Sequence, residues 1–132
     1  ILMIKGVHHI ALKCHGVESF NKTIEFYRDV LGLQVVRTWG SGNDSGIMLT
    51  TGDAMLEIFA NAEDEPIGGA IRHFALATDD VDECVRAVEA AGYEVFIRPK
   101  DIVIASVPAY PARIAFCRGP VNEEIELFKA EP

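Results

Sequence analysis

The chain has 132 residues, room for one domain and too few for two of ordinary size. Its 49% hydrophobic content supports a packed core, and its formal net charge of −8 argues against a basic nucleic-acid-binding face or a membrane-hugging patch. No apolar run reaches the ~18 residues a bilayer span requires, so neither a nucleic acid nor a membrane is expected as a partner.

The opening "ILMIKGVHH" lacks the charged, apolar and cleavage segments of a signal peptide. Cys14, Cys84 and Cys117 form no C-x-x-C pair, which suits buried thiols in a reducing compartment. The expectation is an acidic, cytoplasmic protein.

In chain order, the first element is a short alternating strand around "HHIALK". An amphipathic helix follows, with Phe20, Ile24, Tyr27 and Leu31 at helical spacing and Gly32 as its C-terminal stop. Three strands come next: "LQVVRTW", "IMLTT" after the turn "GSGNDSG", and "AMLEIFA" after Gly52-Asp53. The segment 61–70, acidic and rich in turn residues, reads as a linker. A second strand then opens on "HFALA". Its helix is N-capped by Asp80, supported by Glu83, and ended by Gly92, with Cys84, Ala87, Val88 and Ala91 facing inward. "YEVFIRP", a loop "KDIVIASVPAYP", "ARIAFCR" and "EEIELFK" complete the chain.

This order repeats. "HIALKCHGVESF" is echoed by "HFALATDDVDEC", "GLQVV" by "GYEVF", and "LEIFA" by "IELFK". Each half is βαβββ: module 1 spans about 5–60, module 2 about 71–130. A half of about 65 residues rarely builds a sufficient core alone, so the halves should pack on each other or on a partner chain. The expected class is α+β: two βαβββ modules in tandem form a curved, open-barrel mixed sheet with helices on the outer face, in one domain covering residues 1–132.

Strand alternation sorts the residues. Ile10, Leu12, Phe74 and Leu76 are the better core formers, so His9 and His73 should face away from the helices. Leu56, Ile58, Ile125 and Leu127 turn inward by the same rule, which puts Glu57 and Glu126 on the same face as the histidines. His is scarce, four in the chain, yet two fall at matching repeat positions, and so do two Glu. Imidazole plus carboxylate suits a borderline divalent metal, and a cation would remove the cost of two sheltered carboxylates. The competing reading is that a duplicated fold keeps His and Glu as inherited structural residues. His15 has no repeat partner and reads as surface. His8 reads as packing or capping at the strand start.

These residues, with "SFNKTIEFYRDVLGLQVV" and "RHFALATDDVDECVRAVEAAGYEV", resemble the vicinal oxygen chelate superfamily over nearly the whole chain. That superfamily includes glyoxalase I, extradiol dioxygenases, methylmalonyl-CoA epimerase, and fosfomycin- and bleomycin-resistance proteins. The set His9, Glu57, His73 and Glu126 most resembles the ligands of bacterial-type glyoxalase I, lactoylglutathione lyase. The resemblance implies Ni²⁺ or Zn²⁺, with Co²⁺, Mn²⁺ or Fe²⁺ as other candidates, and a homodimer. It implies isomerisation of the hemithioacetal of methylglyoxal and a glutathione-like thiol to a lactoyl thioester through an enediolate. Glu126 would be the general base and Glu57 its counterpart. Asn61 and Lys13 match substrate-binding positions, Lys13 standing where the family usually has Arg. "GPVNEE" replaces the usual "DPDGY", and Ala62 replaces a Trp. Another metalloenzyme of the superfamily, epimerase-like or dioxygenase, and a non-catalytic small-molecule-binding resistance protein are the alternatives.

Overall fold

The computed structural model describes residues 6–66 and 71–132. The chain divides into two compact units between Pro66 and Ile67, inside the segment expected to link the modules. Positions 67–70 of that linker, and residue 5 at the start of module 1, lie outside the described residues.

The first unit runs β1 (His9–Lys13), α1 (Val17–Glu25), β2 (Gln34–Trp39), β3 (Gly46–Thr50) and β4 (Met55–Phe59). The second runs β5 (Phe74–Ala77), α2 (Val81–Ala90), β6 (Val95–Ile104), β7 (Tyr110–Arg118) and β8 (Glu124–Ala130). Each is βαβββ, as the repeat predicts. The sheets have matching orders, β1-β4-β3-β2 and β5-β8-β7-β6. In each, the opening strand lies parallel to the closing one and the remaining pairs are antiparallel. The helix supplies the crossover that a parallel pair requires.

Each helix packs on one face of its own sheet. In unit 1, Phe20, Ile24 and Tyr27 are buried as the periodicity predicts, with Leu49, Leu56 and Ile58 also in the core. The predicted single helix does not run to Leu31. After Glu25 it widens into a π-type turn over Phe26–Val30, closed by Leu31 N–H donating to the Phe26 carbonyl at 3.1 Å. A regular helix turns consecutive residues about 100° apart; the wider turn lets neighbouring Phe26 and Tyr27 both be buried, their rings edge to face. Gly32, at φ 79°, then ends the element as expected.

In α2 the inward face differs from the predicted one. Val81, Val85 and Val88 are buried, Cys84 and Ala87 flank them, and Ala91 is exposed. The valines bury more apolar area than the alanines, and this sets the helix rotation. Val81 and Val85 pack with Ala115 and Leu127, flanked by Leu76, Cys84 and Val95. Asp80 caps the helix by accepting from Glu83 N–H at 3.0 Å. Asp80→Ala is expected to cost about 1 kcal/mol, read as a shift in denaturation midpoint. An unchanged midpoint would show that this cap contributes nothing.

The predicted loop 100–111 is mostly strand. β6 continues through Pro99 to Ile104, and β7 starts at Tyr110. Proline reads as a strand stop because it lacks an N–H, but β6 is an edge strand, where a missing donor on the open side costs little. Register shifts between Val95 and Ile97 and between Ile97 and Lys100 absorb the irregularity.

The cysteines are free, with Cys14 and Cys117 buried and Cys84 partly so. Burial pushes the Cys117 thiol up to about 12, with Glu123 adding to the effect, so it stays a neutral thiol at ordinary pH. No helix among the described residues is long and apolar enough to cross a membrane.

Candidate metal centre

Strand alternation carries the site. Along β4, Leu56 and Ile58 are buried while Met55, Glu57 and Phe59 lie on the other face; along β8, Ile125 and Leu127 are buried around Glu126. Register then brings histidine and glutamate together in the same way twice. Ala11 lies opposite Glu57, and Ala75 opposite Glu126. In both units the histidine stands two residues before that alanine, on the same face.

His9 Nε2 is 3.5 Å from Glu57 Oε1, and His73 Nε2 is 3.3 Å from Glu126 Oε1. The carboxylate side chains are only 15% and 14% exposed, against 39% and 30% for their histidines. A sheltered carboxylate needs a nearby positive charge or donors. Each unit supplies the same answer, an imidazole nitrogen, at the same place. Among the described residues no cluster of three or more His, Cys, Asp or Glu is arranged to hold a metal; each unit presents a pair.

The donor chemistry fits a divalent ion. Nitrogen and oxygen ligands bound at about 2.0–2.2 Å in a tetrahedral arrangement stand about 3.3–3.6 Å apart. Both Nε2–Oε1 separations fall in that interval. Without an ion, the same spacing is a long hydrogen bond at best.

The imidazoles are held differently. His9 Nδ1 lies 2.9 Å from His8 Nδ1, with the rings edge to face. His73 Nδ1 is buried without a hydrogen-bond partner, and its ring meets Phe116 edge-on at 5.0 Å between centroids. His8 was expected to pack or cap at the strand start, and its ring does pack on His9 while its carbonyl accepts from Met55 N–H at 3.1 Å. It is exposed and bonds to His9.

Lys13 and Asn61 lie at the far end of the β1–β4 pair from His9. Lys13 is opposite Phe59, and Asn61, two residues further, bridges to His15. Both are exposed. Asn61 is thus tied to the end of the first sheet and is not free linker. His15 is exposed as expected, its Nδ1 3.5 Å from Glu65.

Two further residues on the Glu57 face escaped sequence reasoning. Arg37 lies opposite Met48, which lies opposite Glu57. Trp39 lies across Gly46, where a Cβ would collide with the indole, and meets Phe59 edge-on. The Trp39/Gly46 pairing could have been noticed as a bulky residue facing a glycine across a hairpin; Arg37 had no such signal, because a register shift between Val35 and Arg37 sets its pairing. An open recess of about 440 Å³ in the first unit is lined by His8, Val36, Thr50, Asp53 and Met55 among others. It reaches the His9–Glu57 pair only through His8 and Met55.

Fold and site together define a duplicated βαβββ protein in which each copy carries a His–Glu pair at one register position. The chain belongs to the Glyoxalase/Bleomycin resistance protein/Dioxygenase superfamily, which it matches over residues 6–127. Lactoylglutathione lyase GLX1 of Arabidopsis thaliana is 28% identical over 126 residues, covering 89% of this chain and 43% of its own length. The chain thus spans less than half of that plant relative. Among solved structures, SMU.1112c superposes with a TM-score of 0.76 at 27% identity, covering 95% of this chain and 98% of its own. TnmS3, an antibiotic binding protein from Streptomyces sp. CB03234, gives 0.73 at 20% identity over 99% and 100%, a likeness of fold.

Proposed function

We propose that the chain is a divalent-metal-dependent lyase of the glyoxalase I type, isomerising the hemithioacetal of methylglyoxal and a glutathione-like thiol to a lactoyl thioester. The observation that carries this reading is the repeated His–Glu pair, 3.5 and 3.3 Å apart with sheltered carboxylates. Similarity to lactoylglutathione lyase GLX1 supports the choice of chemistry.

In this reading His9, Glu57, His73 and Glu126 are the ligands of Ni²⁺ or Zn²⁺, and the chain works as a homodimer. The metal, when bound, supplies Lewis-acid stabilisation of negative charge developing on neighbouring substrate oxygens. The side chains do the rest. Glu126 takes the proton from the carbon beside the carbonyl and returns it to the adjacent carbon, while the hydroxyl proton passes from the oxygen of the first carbon to that of the second, so that the reaction balances as an isomerisation. Glu57, at the matching register position of the first sheet, is its counterpart. Lys13 and Asn61 bind the polar part of the thiol.

A non-catalytic small-molecule binder is the second reading, and the separate recess beside Val36 and Asp53 favours it. Metal analysis of the chain purified without added metal, alongside His9→Ala and Glu126→Ala, discriminates between the two. The expected result is one divalent ion per site in the parent and little in either variant. Equal, negligible metal in all three proteins excludes the metalloenzyme. If metal binds, failure to turn over methylglyoxal plus glutathione when loaded with Ni²⁺, Co²⁺ or Zn²⁺ removes the glyoxalase assignment.

A further inference from the structure

His8 is a surface residue with no place in the proposed reaction, yet it makes the only hydrogen bond to His9 Nδ1 among the described residues. We propose that His8 is a positioning residue of the metal centre: it accepts a hydrogen bond from His9 Nδ1 and so presents the unprotonated Nε2 of His9 to the ion. This rests on the metal-centre reading above.

A neutral imidazole carries a single N–H, and a nitrogen that binds a metal must offer its lone pair. His9 turns Nε2 toward Glu57, at 3.5 Å, so Nε2 is the ligating atom. The ring proton must then sit on Nδ1. Only 2.9 Å away stands His8 Nδ1, which must act as acceptor and keep its own proton on Nε2. A ligating histidine whose second nitrogen donates to a fixed acceptor is held in one tautomer and one orientation.

The surroundings explain why His8 can do this. Its backbone is anchored by Met55 N–H donating to the His8 carbonyl at 3.1 Å, and Met55 is the register partner of His9. Its ring lies edge to face against the His9 ring, with centroids 5.2 Å apart. The second unit has no such device. Arg72 occupies the equivalent sequence position and cannot accept a hydrogen bond, and His73 Nδ1 has no partner. Phe116 holds the His73 ring by packing instead. The two pairs are alike in donor atoms and unlike in how the imidazole is oriented, so loss of His8 should affect one pair alone.

The test compares zinc affinity of the full chain, His8→Phe and His8→Asn, measured by competition with a chromophoric chelator. Imidazole ¹⁵N shifts of the zinc-loaded proteins report the His9 tautomer directly. Phe preserves a flat ring and removes the acceptor; the Asn side-chain oxygen restores an acceptor at similar reach. His8→Phe is expected to weaken zinc binding about 10-fold or more, with His8→Asn close to the parent and the His9 Nδ1 resonance protonated in the parent and shifted in the Phe variant. Thermal unfolding without metal should be alike in all three. Zinc binding unchanged in His8→Phe, or an equal fall in His8→Asn, overturns the assignment. A parent chain that binds no zinc overturns the metal-centre reading itself, a distinguishable failure.

Discussion

Glu126→Gln is expected to lower turnover of the methylglyoxal–thiol adduct by about 10²–10⁴-fold, the usual contribution of a positioned general base. The amide matches the carboxylate in size but is not a base. Glu126 is 14% exposed and held between buried Ile125 and Leu127, so the variant side chain stays where the carboxylate was. Glu57→Gln provides the internal control, since Glu57 occupies the matching register position in the first sheet. It is expected to weaken metal binding with a smaller effect on kcat in the metal-loaded protein. Measuring kcat and metal content together separates the two roles. If Glu57→Gln costs the larger share of kcat at full metal loading, the base belongs to the first unit and the assignment reverses.

Leu127→Ala should destabilise the protein by about 2–5 kcal/mol, read as a fall in the denaturation midpoint of a metal-free sample. Leu127 is 1% exposed and packs on Val81, Val85 and Ala115. Removing its branched side chain leaves a cavity that the short α2 helix can close only by shifting. The effect reaches the site as well, because Leu127 and Glu126 are neighbours on opposite faces of β8. Burial of one is what turns the other toward the His73 face. A loss below about 1 kcal/mol would mean that the cluster is loosely packed and that β8 is held by its backbone ladder instead.

Much of the site was legible because it depends on short-range rules. The period of a strand is two residues, so apolar Leu56, Ile58, Ile125 and Leu127 assign Glu57 and Glu126 to the other face with no tertiary knowledge. The internal repeat then ties each glutamate to a histidine. The caps at Asp80 and Gly32 were equally local: one needs a side-chain oxygen three residues before an N–H, the other a residue that tolerates positive φ.

What sequence reading missed depends on neighbours distant in the chain. The π-type turn over Phe26–Val30 exists because two adjacent aromatic rings both need burial. β6 runs on through Pro99 because the strand lies at a sheet edge. The α2 face rotates toward its valines because Ala115 and Leu127 await them. The contact between His8 Nδ1 and His9 Nδ1 was not legible either, because it depends on the His8 carbonyl being held by Met55, far along the chain.

The amino-acid sequence by itself determined the duplicated βαβββ order, the direction of each strand face and the identity of the His–Glu pairs, since all three follow from local periodicity and repetition. Tertiary structure alone decided that Ala11 pairs with Glu57 and Ala75 with Glu126, and hence that each imidazole reaches its carboxylate. It also decided that His8 turns back to His9 while His73 Nδ1 is left without a partner. Those outcomes come from register and packing between elements far apart in the chain, where the free energy of the whole sheet, rather than any local preference, selects the alignment.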